Sequence, residues 1–289
     1  MAETDEPLSL PKRQLGHYLR QAREDLGMSL AEAAKHISRS APTLMRIEKG
    51  LTKKLQPLEV DALCQLYGFD QDKTDAMKGL AQQANTKNWW NEFGDLIPAN
   101  FDIYVGLETA AQEIVTYQSD LIPGLVQTSD YARVLMRSAL PLDATEEIER
   151  RVQLKMRRQQ LIARKVNPVT FELVIHEGAI RRVVGSGKVM AAQLRHLADM
   201  STRPNVTVRV LPFTAGIPLG DPVGPFVILR FGQGARTVVY AETFTGDLYL
   251  EKSASLRRYA GAYEAIQRAA LDENRSRSLL RQVAKEHLG

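Results

Sequence analysis

The chain has 289 residues, 44% of them hydrophobic and 25% charged, with a net charge of +4 and a single cysteine. That length suits two domains of about 150 residues each, and the composition is ordinary for a folded protein. Cys64 alone excludes intramolecular disulfides and cysteine-based zinc sites, and no run approaches the roughly 18 apolar residues of a membrane span.

The N-terminus, MAETDEPLSLPK, is acidic and lacks a signal-peptide core, which predicts a cytoplasmic protein with no membrane contact. Residues 1–11 read as a flexible arm. A helix is predicted over residues 12–26, with Leu15, Leu19, Ala22 and Leu26 on one face. The stretch SLAEAAKHISRSAPTLMRIEKG, residues 29–50, then reads as two short helices joined by a tight turn. Ser29 caps the first, and Glu32, three residues on, completes a capping box. Leu30, Ala33, Ala34 and Ile37 form its buried stripe. Ser40 caps the second helix, and Pro42 stands early in it, where a missing N–H does no harm. Leu44 and Ile47 face inward, which leaves Ala41, Pro42, Thr43, Met45 and Arg46 on the outer side. A recognition helix enters the major groove in this way, although a plain two-helix hairpin fits the same periodicity.

Charge separates the two readings. Lys12, Arg13, Arg20, Arg23, Lys35, Arg39, Arg46, Lys49, Lys53 and Lys54 outnumber Glu24, Asp25, Glu32 and Glu48. A basic module on a nearly neutral chain is the footprint of a phosphate-contacting domain. After a basic connector at 51–55, Pro57 opens a fourth helix ending near Tyr67 and Gly68. A fifth, over 71–84, presents Met77, Leu80 and Ala81. Polar residues 85–88 form a linker, so the domains fall at 12–84 and 89–289.

The second part opens with predicted helices at 101–117, 129–138 and 145–165. Strands are predicted at 169–176, 206–211, 225–231 and 236–241, with helices at 190–200 and 253–271. Helices first and mostly adjacent strands later argue for an α+β domain with an antiparallel or mixed sheet. Around Pro123-Gly124, residues Gln127, Thr128, Tyr131 and Arg133 form either an interaction surface or simply a turn, a helix cap and core packing. Trp89 and Trp90 either anchor the linker or line an apolar ligand pocket. Arg150, Arg151, Lys155, Arg157, Arg158 and Arg164 make one helix basic: a solvated face, a seat for an acidic partner or, as a third reading, an additional DNA contact.

Catalytic motifs fail at specific positions. Gly185-Ser186-Gly187-Lys188 has Arg182 where a phosphate loop needs its first glycine and Val189 where it needs Ser or Thr. His176-Glu177 starts like a metalloprotease helix, but Ile180 replaces the second histidine. No metal, cofactor or enzymatic activity is expected.

The run TLMRIEKG resembles the recognition-helix end of the Cro/repressor-like (XRE) helix-turn-helix family, over about residues 12–84. The resemblance implies a five-helix, lambda-repressor-like module. The candidate DNA-contacting set is Ser29, Arg39, Ser40, Ala41, Pro42, Thr43, Met45, Arg46, Lys49 and Lys53, and the resemblance puts Ala41, Pro42 and Arg46 at base-facing positions. It implies that Ser40 caps and touches phosphate, that Lys49 lies near the DNA backbone and that Glu48 ties the helix to its neighbours. Leu30, Ser38 and Arg39 depart from the family's usual Gln, Gly and small apolar residue. The rest of the chain is similar to the C-terminal domain of actinobacterial XRE regulators of the WhiJ-like type. The similarity is carried by NWWNEFGDLIP, GLETAA, IPGLVQTSDYAR, RRQQL, EGAIRR, VVYAE and DLYLE. It implies a regulatory, protein-interaction domain paired with a small acidic partner protein encoded nearby, and dimerisation is expected of the same domain. On that basis Trp89, Trp90, Gln127, Thr128, Tyr131, Arg133, Arg157 and Arg158 are candidate partner or ligand residues. The expected protein is a homodimeric transcriptional regulator on double-stranded DNA at the nucleoid. The alternatives are an antitoxin-like partner-binding module and a small-molecule-responsive regulator.

Overall fold

The computed structural model describes residues 10–52, 56–84, 89–93, 96, 101–232, 237–243 and 246–289. Residues 1–9 of the predicted arm, the linker at 85–88, and Lys53, Lys54 and Leu55 lie outside them, as does the Leu80 side chain. The chain divides into two compact units, Met1–Leu107 and Glu108–Gly289. Among the described residues no helix is long and apolar enough to cross a membrane.

The first unit holds five helices: α1 (Leu10–Asp25), α2 (Leu30–His36), α3 (Ala41–Glu48), α4 (Pro57–Leu66) and α5 (Gln71–Ala84). Leu15, Leu19, Ala33, Ala34, Leu44, Ile47, Val60, Leu63, Cys64, Met77 and Ala81 share one core. The first four helices end alike. In each, the N–H two residues past the C-cap returns to a carbonyl of the last turn: Met28 to Arg23, Arg39 to Ala34, Leu51 to Arg46 and Phe69 to Cys64. This Schellman closure needs a left-handed residue, usually glycine. Gly27, Gly50 and Gly68 supply it at φ near 70°, and Ser38 supplies it after α2 at φ 53°. A serine there carries the steric cost that glycine escapes.

A different constraint fixes Gly16 in mid-α1. A Cβ at that position would lie 2.5 Å from the carbonyl oxygens of Ile47 and Glu48. The end of α3 therefore rests directly on the α1 backbone.

The second unit is built on a six-stranded sheet. Its strands are β1 (Glu113–Gln118), β2 (Thr170–His176), β3 (Val206–Leu211), β4 (Phe226–Arg230), β5 (Val238–Thr243) and β6 (Gly246–Leu250). The order is β3-β2-β1-β4-β5-β6. β1, β2 and β3 run parallel; β4, β5 and β6 continue antiparallel. Connecting and flanking helices are α6 (Phe101–Ala110), α7 (Ser129–Ala139), α8 (Thr145–Arg158), α9 (Gln160–Ala163), α10 (Glu177–Arg181), α11 (Gly187–Met200), α12 (Ser253–Ala269) and α13 (Glu273–Glu286). Tyr263 and Ile266 of α12 pack in one cluster with Val115, Tyr117, Val174, Phe226, Ile228 and Val239 of the sheet.

The outer strand β3 is closed by the segment leading into α13. Leu271 N–H donates to the Val210 carbonyl, and Ser276 Oγ accepts from the Val210 N–H, both at 2.9 Å. The end of α13 is fixed as firmly. Glu286 pairs with Arg181 at 2.7 Å, and His287 Nε2 meets the Ile180 carbonyl at 2.9 Å. Gly187 abuts the His287 carbonyl so closely that a Cβ would fall 1.9 Å from its oxygen. The Gly185–Lys188 stretch is thus the capped start of α11, with Ser186 accepting from Val189 N–H.

The α+β expectation and the five-helix module match the architecture, and the sheet is mixed. Four local expectations need correction. The helix expected over 101–117 stops at Ala110, and its second half is the central strand β1. Residues 114–117 of β1 are all buried, so the strand shows none of the alternation that marks a half-exposed one. The helix expected over 145–165 breaks at Gln159 into α8 and α9. β6 and α13 are additional elements. Leu26, placed on the buried face of α1, follows the end of that helix and is 54% exposed.

Two substitutions test these constraints. Ser38→Gly relieves the left-handed strain and is expected to stabilise the first unit by about 0.5–1 kcal/mol, read as a higher urea midpoint. Gly16→Ala should destabilise it by about 1–3 kcal/mol, because a methyl must push α3 off α1. An unchanged midpoint for Gly16→Ala would mean the two helices separate freely.

Candidate nucleic-acid interface

The position of α3 is set from its buried side. Glu48, 7% exposed, receives Arg23 Nε at 2.6 Å on one oxygen and Nη2 at 2.9 Å on the other. Arg23 Nη1 also donates to the Met28 carbonyl at 2.8 Å, which ties the turn after α1 into the same knot. The hydrogen bonds to Glu48 hold the Arg23 guanidinium above its ordinary range. Tyr67 closes the enclosure with a buried hydroxyl that has no hydrogen-bond partner. Burial, then the Glu48 charge, pushes that phenol up to about 12. A two-bond pair in such a dry setting fixes direction as well as distance.

The opposite side of α3 is open. Pro42, Met45, Arg46 and Lys49 are exposed, and Ala41 and Thr43 are half-buried. Ser40 Oγ accepts from Thr43 N–H at 3.4 Å and lies 2.9 Å from the Thr43 hydroxyl, so both polar groups are organised at the helix start. Ser29 Oγ accepts from Glu32 N–H at 3.2 Å, and Glu32 returns the contact to Ser29 N–H at 2.8 Å. The capping box is formed as its sequence predicts.

The basic residues of this unit have different fates. Arg23 is consumed by Glu48, Arg20 by Glu24 at 2.8 Å, and Arg39 by Glu59 of α4 at 2.5 Å. Lys35, Arg46 and Lys49 are exposed, and no described residue forms an ion pair with any of them. Arg39 therefore braces α4 against the turn, while Arg46 and Lys49 project from the free face of α3. Lys53 lies outside the described residues.

The candidates in the second half have local partners. Tyr131 is fully buried, and its hydroxyl accepts from Ile122 N–H at 3.3 Å. Thr128 caps α7, and Arg133 clamps Glu149 of α8 with two bonds at 2.5 and 2.9 Å. Gln127 is 3% exposed and donates to the Ile122 carbonyl at 2.6 Å. Arg157 is exposed, whereas Arg158 is buried against Glu108 with bonds of 2.7 and 2.6 Å. Trp89 and Trp90 meet edge to face at 5.7 Å in a 3-10 turn, with Trp90 buried.

Three residues not named among the candidates complete the surroundings of the Pro123-Gly124 turn. Gln159 donates to the Gly124 and Gln127 carbonyls at 3.0 and 2.6 Å. Gln193 accepts from Thr128 N–H and donates to the Val126 carbonyl, at 2.6 and 2.7 Å. Glu108, wholly buried, neutralises Arg158 beside the turn. A lone carboxylate in the apolar run YVGLETA was the available signal for a buried partner. Segments GLE, PGLVQT and RRQQL, far apart in sequence, thus meet around one short turn.

Two family models match the chain: a helix-turn-helix domain over residues 14–77 and a Domain of unknown function (DUF5753) over residues 101–282. No curated protein and no solved structure matches it. The first model takes in α2 and α3 together with the helices packed around them. The second model covers more than half of the residues, so the chain belongs to the DUF5753 family and bears a DNA-binding helix-turn-helix domain ahead of that domain.

Proposed function

We propose that the protein is a sequence-specific transcriptional regulator of the XRE, WhiJ-like kind, without enzymatic activity. It acts as a homodimer on pseudopalindromic DNA, each copy laying α3 in a major groove one helical turn from the other. The second domain pairs the protomers and takes the regulatory signal, delivered by a small acidic protein. The observation that carries the DNA-reading role is the two-sided character of α3. Its inner side is fixed by Glu48 and Arg23 in a bidentate buried pair, while Arg46 projects from its outer side. Fixed on one side and open on the other, α3 offers Arg46 to a guanine edge with little entropy left to lose. The basic residues of α8 and the polar setting of the Pro123-Gly124 turn support a signal-receiving role for the second domain.

Binding to DNA from upstream of the protein's own gene, compared with random DNA across a salt series, tests this reading. Arg46→Ala should lose about 1–3 kcal/mol on the specific site and much less on random DNA. Equal weakening on both would remove Arg46 as a base reader. Lys49→Ala should weaken both DNAs alike and reduce the salt slope by about 1, as expected for one lost phosphate contact. An unchanged slope would take Lys49 off the backbone.

A further inference from the structure

The two edges of the six-stranded sheet differ. At β3 the segment leading into α13 occupies the outer N–H and carbonyl of Val210. At the other edge stands β6, and no described strand lies beyond it. A free edge presents a row of unpaired N–H and C=O groups, which natural sheets blunt with Lys, Pro, a bulge or a covering segment. The strand β6, GDLYL, contains neither Lys nor Pro, and it pairs with β5 without a bulge from Thr243–Gly246 to Val239–Leu250. Its one charged residue, Asp247, is engaged within the sheet, accepting from the Tyr240 hydroxyl at 3.0 Å.

The side chains leave this edge open as well. Leu248 and Leu250 lie opposite Ala241 and Val239, so they stand on the sheet face that carries the α12 core. Leu250 packs against that core, whereas Leu248, next to it on the same face, is 48% exposed. The apolar layer beneath α12 thus runs out to the edge and ends uncovered.

Register decides what fits there. Opposite residues of an antiparallel pair share a face, so a two-fold pairing of β6 with itself matches residues of the same parity. Centred on Asp247, the carboxylate meets its own copy; centred on Tyr249, it meets Glu251. Like charges set directly opposite are unfavourable. Centres at Gly246 and Leu250 run out of the strand, into the turn before it or the start of α12. A centre at Leu248 matches the whole strand to itself. Leu248 then meets Leu248, Asp247 meets Tyr249 and Gly246 meets Leu250, with no like charges opposed.

We propose that β6 pairs antiparallel with β6 of a second copy of this chain, centred on Leu248, which joins two six-stranded sheets into one and covers both Leu248 side chains. This pairing rests on the homodimer reading and gives it a surface in the second domain.

Sedimentation equilibrium of the full chain without DNA, over a range of concentrations, tests it. The wild type should be dimeric. Leu248→Lys sets two cations opposite each other at a position already exposed, and should raise the dimer dissociation constant about tenfold or more. Leu248→Cys reads the register directly, since the native Cys64 is buried. Mild oxidation should link two copies through residue 248, and far more slowly through a cysteine at the exposed Lys285. A monomeric wild type overturns this pairing and the homodimer reading together, and leaves the edge to a strand of another protein. A dimeric wild type whose dissociation constant is unchanged by Leu248→Lys, or which links through 248 no faster than through 285, overturns the pairing alone. A Leu248→Lys chain that fails to fold leaves the decision to the two cysteine variants.

Discussion

The buried pair between Arg23 and Glu48 is the interaction on which the first unit depends. It joins the end of α3 to the last turn of α1, and the third nitrogen of the same guanidinium holds the turn into α2. Ion pairs taken out of water seldom add net stability, because desolvation offsets much of the attraction. What such a pair adds is direction. Two parallel bonds admit one orientation of the carboxylate, hence one rotation of α3 about its axis. Gly16, on the same face of α1 two turns earlier, sets how near the helices come. Rotation and distance together decide which side chains of α3 face outward.

The second unit follows another logic. Its polar interior does not orient an element toward solvent but satisfies a turn buried within the domain. The carbonyls of Ile122, Gly124, Val126 and Gln127 and the N–H of Thr128 are met by three glutamine side chains. Glutamine suits this work, since one amide offers both a donor and an acceptor. The Glu108–Arg158 pair lies beside the same turn, with the guanidinium against Gly124.

How much of this was legible in the sequence depends on range. Ser29, Glu32 and Ser40 announced their helices because caps act over three residues, and Gly68 marked the end of α4 for the same reason. The buried and open sides of α3 were legible from the spacing of Leu44 and Ile47. β1 was not, because burial on both faces erases alternation and GLETAAQEI is rich in helix-forming residues. The fate of the basic residues on α8 was not legible either. Arg157 and Arg158 are neighbours in sequence, yet a carboxylate fifty residues earlier separates the solvated one from the buried one. α13 did carry a local signal, Asp272 accepting from Arg275 N–H at 2.8 Å, together with the apolar spacing of Leu280, Val283 and Ala284.

The seating of α13 also bears on where the second domain ends. The family match stops at residue 282, but the bonds of Glu286 and His287 to α10, and the contact of His287 with Gly187, lie beyond it. A fragment cut at the family boundary would therefore lose the latch that fastens α13 to α10 and α11. The loosened helix is the same one whose first turn supplies Ser276 to the outer strand of the sheet. Fraying at one end would reach the strand edge at the other, and an uncovered edge invites pairing with other chains. The contacts that seat α13 thus reach past the end of the shared sequence signature.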